Sequence, residues 1–245
     1  MFRLQIIIPQ KNKYHIIKLI LIAIRNNNSI KLLPMTISMS TEYTRALFFK
    51  KLLNYSADIA AVHQILAYLE KQYNNENRYY TLTHVAHQLK LLEQYHYLIK
   101  NEEIVFFAIW FRHISDDSWR TNNEERSAYV ARLKLTEAHV PNAIIQKVVA
   151  YISGCKNYST PLDDDEGIFQ DLNLAVFGMD SSVYEIYSDQ IRKEWRRLPS
   201  FILNRRRKDF LHLLLERDNI YNTEKFQATY ELQARRNIKF ELDSY

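Results

Sequence analysis

A chain of 245 residues with 47% hydrophobic and 25% charged content is long enough to bury a sizeable core in one domain and too apolar to be disordered. Three glycines and five prolines are too few for a sheet-rich fold or for a loop cradling nucleotide phosphates. The net charge of +5 does not argue for a nucleic-acid partner. Arg3, Lys11, Lys13, Lys18, Arg25 and Lys31 all precede the first acidic residue, Glu42, and outweigh that excess by themselves, which leaves the body electrically balanced.

Residues 1–41 form a basic extension unlike the rest. Its apolar run from Ile16 to Ile24 is too short for a membrane span and is interrupted by Lys18. The basic residues ahead of it resemble a targeting segment, but Asn26-Asn27-Asn28 is a poor cleavage site. The expectation is a loosely ordered extension, or a start at Met35 or Met39. Residues 42–245 are expected to form one all-α domain, a compact multi-helix bundle. Tyr43 to Tyr73 holds one or two helices, with Leu47, Leu52, Ile59, Val62, Ile65, Leu66 and Leu69 at three- and four-residue spacings. Leu82 to Ile99 repeats the pattern through Val85, Leu89, Leu92 and Tyr95, and Ile104 to Ile114 is apolar all round, as a central buried helix would be.

Asn122 with Glu125 reads as a capping box opening a helix to about Leu135, and Pro141 suits the first turn of the next helix, ending near Gly154. Asn157 to Gly167 reads as a loop, its run Asp163-Asp164-Asp165-Glu166 solvated and without calcium-loop spacing. A short helix from Asp171 to Phe177 stops at Gly178, and Ser182 with Glu185 opens another to about Leu198. Helices near 200–217 and 223–242 complete the chain. The basic run Arg192, Lys193, Arg196, Arg197, Arg205, Arg206, Arg207 and Lys208 reads as the solvent face of two helices, with Arg192 and Glu194 in ion pairs. His87, His96 and His212 are expected to be packing residues. Cys155, the lone cysteine, excludes an internal disulfide and a Cys-rich zinc site and fits a reducing, cytoplasmic setting.

The most informative stretch is Trp110-Phe111-Arg112-His113-Ile114-Ser115-Asp116-Asp117, followed by Asn123-Glu124-Glu125-Arg126-Ser127-Ala128. Around it, in order, lie Arg78-Tyr79-Tyr80-Thr81-Leu82-Thr83-His84, Asp171-Leu172-Asn173-Leu174-Ala175-Val176-Phe177-Gly178, Ile191-Arg192-Lys193-Glu194-Trp195, Ile220-Tyr221-Asn222-Thr223 and Ala234-Arg235-Arg236-Asn237. This series, over about two thirds of the chain, resembles a family of predicted metal-dependent phosphohydrolases of the HD superfamily, whose pattern reads W-F-H-D-x-x-Y-D followed by N-E-E-R-S-A.

The resemblance implies an HD-like helical bundle, a divalent metal cofactor and a phosphorylated small-molecule partner. A metal held by imidazoles and carboxylates would acidify a bound water and clamp a phosphoryl oxygen. Position by position, His84 matches the first His. Arg112 stands where the second His is expected and His113 where the Asp is expected. Asp171 matches one member of a D-x-D pair and Asn173 replaces the other. Tyr80 stands where the pattern has another His, and Cys155 to Tyr158 stands where the family has T-x-H-H.

The residual metal candidates are therefore His84, His113, Asp117 and Asp171, and the substrate-binding candidates are Arg112, Tyr80 and Asn173. An arginine about 4 Å from a divalent ion is repelled by roughly 8 kcal/mol at an effective dielectric near 20, so weak metal binding or none is expected, with little or no hydrolysis. The alternative is a binding or interaction module in which Arg112 replaces the lost cation and holds a phosphate directly.

Overall fold

The computed structural model describes residues 41–56, 58–74, 79–196 and 198–245. The basic extension therefore lies outside the described residues up to position 40, as do Arg78 and Arg197. The described residues form ten α-helices: α1 (Thr41–Leu53), α2 (Ile59–Tyr73), α3 (Leu82–Tyr95), α4 (Glu102–Phe111), α5 (Asn123–Glu137), α6 (Asn142–Gly154), α7 (Asp164–Leu174), α8 (Ser181–Glu194), α9 (Ser200–Leu215) and α10 (Glu224–Asp243). No strand occurs among the described residues, and the all-α bundle expected from scarce glycine is what forms. No helix among them is long and apolar enough to cross a membrane.

Helix α4 is the axis of the bundle. Every residue from Ile104 to Phe111 is buried, because α3, α5, α6 and α7 pack on its different sides. Each large side chain removed from water contributes roughly 1.5–3 kcal/mol relative to an exposed one, which makes this helix the densest source of stability. Phe48 of α1 stacks on Trp110 with ring centroids 4.5 Å apart, and the Tyr73 hydroxyl donates to the Trp110 carbonyl at 2.7 Å. That bond occupies a carbonyl of the last helical turn, where no further turn of helix supplies a donor. Arg112 and His113 follow immediately, in the turn that ends α4.

The 3-10 turn Ala175–Gly178 sits between α7 and α10. A Cβ at Gly178 would meet the Tyr230 backbone within 2.7–2.8 Å, so glycine is required for this close approach. This is the stop expected at Gly178.

Several local expectations are corrected. The acidic run is not a solvated loop. Asp163 is the N-cap of α7, accepting from the Glu166 amide at 3.0 Å, and Asp164 to Glu166 form the first turn, where the helix dipole favours negative charge. Asp165 is buried and accepts from the Lys100 and Asn101 amides at 2.8 Å each, which ties α7 to the start of α4. Neither expected capping box closes: Asn122 makes no side-chain cap bond, and α8 starts at Ser181 behind an equally unbonded Asp180. Ile59 is exposed because it begins α2. His87, His96 and His212 are exposed, not packed.

Candidate functional site

Four elements bring the motif residues together. Tyr79 and Tyr80 sit in the bend before α3, which is pinned when the Tyr79 amide donates to Glu194 Oε2 of α8 at 3.0 Å. His84 lies in the first turn of α3. Arg112 and His113 come from the C-terminal end of α4, where a guanidinium complements the carbonyl dipoles. Cys155 and Tyr158 come from the segment after α6, and Tyr158 holds a left-handed backbone with φ of 46°. That conformation costs a non-glycine residue about 1–2 kcal/mol and turns the segment toward the same space.

These residues line one cavity of about 170 Å³. All three substrate-binding candidates, Arg112, Tyr80 and Asn173, reach it, as do His84 and His113. The Tyr80 ring lies flat on the His113 imidazole, with centroids 3.5 Å apart and an interplanar angle of 8°. His84 meets both rings edge-on, at 5.0 Å from Tyr80 and 5.6 Å from His113. His113 Nδ1 is 2.8 Å from Asp116 Oδ2, which fixes the ring in the stack. Burial pushes the His84 imidazole well below its usual range, and His113, His87 and Arg112 push the same way, so His84 is neutral at physiological pH. Its Nε2 is shielded from solvent and has no hydrogen-bond partner.

Arg112 is 5% exposed, and its guanidinium is only partly used. Nη2 donates to Glu124 Oε1 at 3.2 Å, whereas Nε and Nη1 are buried without a hydrogen-bond partner. Burial opposes its charge, but Cys155, Tyr158, Glu124 and Asp116 around it more than offset that and raise its pKa. The group is therefore a permanent cation with donors to spare. Lys156, Arg206 and Arg207 also line the cavity, and the carboxylate among its walls is Glu124, so the walls carry an excess of positive charge. Burial raises the Cys155 thiol to about 11 despite the neighbouring Arg112, so Cys155 is a neutral wall and not a nucleophile.

The other two metal candidates face elsewhere. Asp171 is fully buried, and its carboxylate accepts from the Asn222 amide at 2.6 Å, the Thr223 amide at 2.9 Å, the Thr223 hydroxyl at 2.8 Å and the Asn222 side chain at 3.1 Å. Burial pushes its pKa up to about 6 against the pull of those donors. It holds the turn that opens α10. Asp117 belongs to a separate groove and pairs with Arg120 at 3.1 Å. Among the described residues no three His, Cys, Asp or Glu side chains are grouped to hold a metal ion. The residual set His84, His113, Asp117 and Asp171 does not fit a divalent ion: two members are turned away and a guanidinium stands beside the other two.

Two contributors lay inside patterns read differently from the sequence. Arg206 and Arg207 belong to the run read as a solvent face, yet Arg206 donates to the Ser118 carbonyl at 2.7 Å and Arg207 is buried. Arg192, expected to form an ion pair, reaches Glu241 at 3.9 Å. Tyr187 of α8 lines the cavity with its ring 5.1 Å from Tyr79, and only its helical spacing from Tyr184 and Ile191 hinted at an inward face. The chain matches no protein-family model, no curated protein and no solved structure, so the HD resemblance stands on the motifs alone.

Proposed function

We propose that this chain carries an HD-like scaffold, related to metal-dependent phosphohydrolases, whose pocket binds a phosphorylated small molecule without hydrolysing it. The observation that carries the reading is the pair of unused donors on Arg112, Nε and Nη1, buried at the wall of the 170 Å³ cavity. An unmet buried donor costs about 1–3 kcal/mol, so a fold that keeps two of them gains when a multi-oxygen anion supplies acceptors. A phosphoryl group fits a planar guanidinium edge through paired, charge-assisted hydrogen bonds. The neutral His84 Nε2 offers one further bond to the same space. In this reading Arg112 supplies the positive charge that a metal would supply in the family, and the described residues group no ligand set for an ion that would acidify a water.

The reading is tested by titrating the protein with inorganic phosphate in a calorimeter, alongside metal analysis and a phosphatase assay with added manganese, magnesium or cobalt. Saturable phosphate binding, weakened at least about tenfold by Arg112→Gln, is expected, without metal-dependent turnover. Stoichiometric metal together with turnover of phosphate esters would sink it.

A further inference from the structure

We infer that the ligand is a phosphate monoester with an apolar body: its phosphoryl head lies at Arg112, and the body lies in the groove between α3 and α8. This rests on the reading of Arg112 as a phosphate clamp and adds the chemical class of what the phosphate is attached to.

The size of the chamber requires a second compartment. Pockets that enclose small organic ligands run to about 300–1,000 Å³. The 170 Å³ around Arg112 holds a phosphoryl group and little else. Of two larger grooves lined by described residues, one shares wall residues with the chamber. The groove of about 680 Å³ between α3 and α8 shares Tyr79, His84, Val176 and Tyr187 with the chamber, so these residues form a common wall. The groove of about 900 Å³ beside α5 shares none of the chamber's lining residues. Asp116, Asp117, Glu125 and Glu194 line it against Arg126, Lys193 and Arg196, so it offers a phosphate ester no net positive field.

The groove that shares the wall has an apolar floor and sides. Leu91 comes from α3, Met179 from the turn before α8, and Val183 and Ile186 from α8 itself. Val183 and Ile186 are 47% and 60% exposed, one helical turn apart on one side of α8, which leaves branched aliphatic surface facing water inside a concavity. Thr81, Thr83, Gln88 and Gln190 add neutral polar groups to the lining, and Lys193 and Arg196 add cationic ones. Glu194, the carboxylate that lines this groove, already accepts the Tyr79 amide. The exposed aliphatic surface of Val183 and Ile186, with Leu91 and Met179, is what favours an alkyl or aryl body. The rings of Tyr79 and Tyr187, in edge-to-face contact with centroids 5.1 Å apart, stand where head and body would join.

The test compares hexyl phosphate, glycerol 3-phosphate, inorganic phosphate and hexanol by calorimetry on the full chain. Hexyl phosphate should bind at least about tenfold more tightly than inorganic phosphate or glycerol 3-phosphate, with hexanol alone undetectable. The double variant Val183→Ser/Ile186→Ser, at exposed positions, should erase that gain while leaving the affinity for inorganic phosphate within about twofold. Arg112→Gln should abolish all binding. Equal affinity for hexyl phosphate and inorganic phosphate, both dependent on Arg112, would overturn the apolar body and leave the clamp standing. A nucleoside monophosphate that outcompetes hexyl phosphate would overturn it as well. Absence of any phosphate binding to the wild type would remove both readings.

Discussion

Two buried arginines line the same cavity and are treated in opposite ways by their surroundings. Arg207, on α9, meets Glu241 of α10 with both Nε and Nη2, at 2.9 and 3.0 Å, and lies over the rings of Phe177, Tyr187 and Phe210 at 5.3–6.0 Å. Tyr184 donates to the same carboxylate. Arg112 has one bond to Glu124, lies beside the Cys155 thiol, and keeps Nε and Nη1 without an oxygen or nitrogen acceptor. A saturated buried charge locks helices together, whereas a half-satisfied one retains donors for a further acceptor. The difference teaches that equal burial leaves unequal hydrogen-bonding capacity: Arg207 spends two donors on Glu241, and Arg112 keeps two unspent.

The largest test of this contrast is to delete the saturated arginine. Arg207→Met leaves Glu241 buried without its counter-ion and should lower stability by about 3–5 kcal/mol in urea unfolding. The same pair sharpens the contrast through pH. Burial alone would raise the Glu241 carboxyl, but Arg207, with Tyr184, pulls it from 4.5 down to about 2. A carboxyl depressed in the fold adds stability that is present above its unfolded pKa and lost as the pH falls through its folded one. About 3 kcal/mol should therefore disappear between pH 4.5 and 2, and Glu241→Gln should flatten that slope.

Asp171 is a saturated carboxylate in the same sense. Asp171→Ala strands the Asn222 and Thr223 donors and should cost about 1–3 kcal/mol, read from the urea midpoint. Because burial raises this carboxyl from 3.8 to about 6, its contribution declines as the pH rises through that window, and the variant should lose that dependence. The smallest effect is expected at the open arginine. Arg112→Met should leave stability within about 1 kcal/mol of wild type, since it removes two unmet donors along with one bond. A loss as large as that of Arg207→Met would erase the distinction between the two sites.

Much of the candidate site was legible because the motifs name positions. Tyr80, His84, Arg112, His113 and Asn173, spread across 94 residues of chain, line one cavity, and so do Cys155 and Tyr158. Side-chain direction was not legible. Asp171 and Asn173 are two residues apart on a helix and therefore diverge: Asn173 reaches the cavity, while Asp171 turns toward the 222–223 turn. Capping residues misled for a related reason. Asn122 and Ser182 have the right chemistry, but Asn123 bonds both backbone groups of Asp117 and Ser181 bonds Asn237, and those tertiary partners set where each helix starts.

The sequence by itself determined the helical class and the buried α4, because periodicity and residue identity are local properties of the chain. Only the tertiary structure decided which buried charges are satisfied. That depends on donors and acceptors brought from distant helices, Glu241 to Arg207 and Thr223 to Asp171, and on the absence of any such partner for the open side of Arg112.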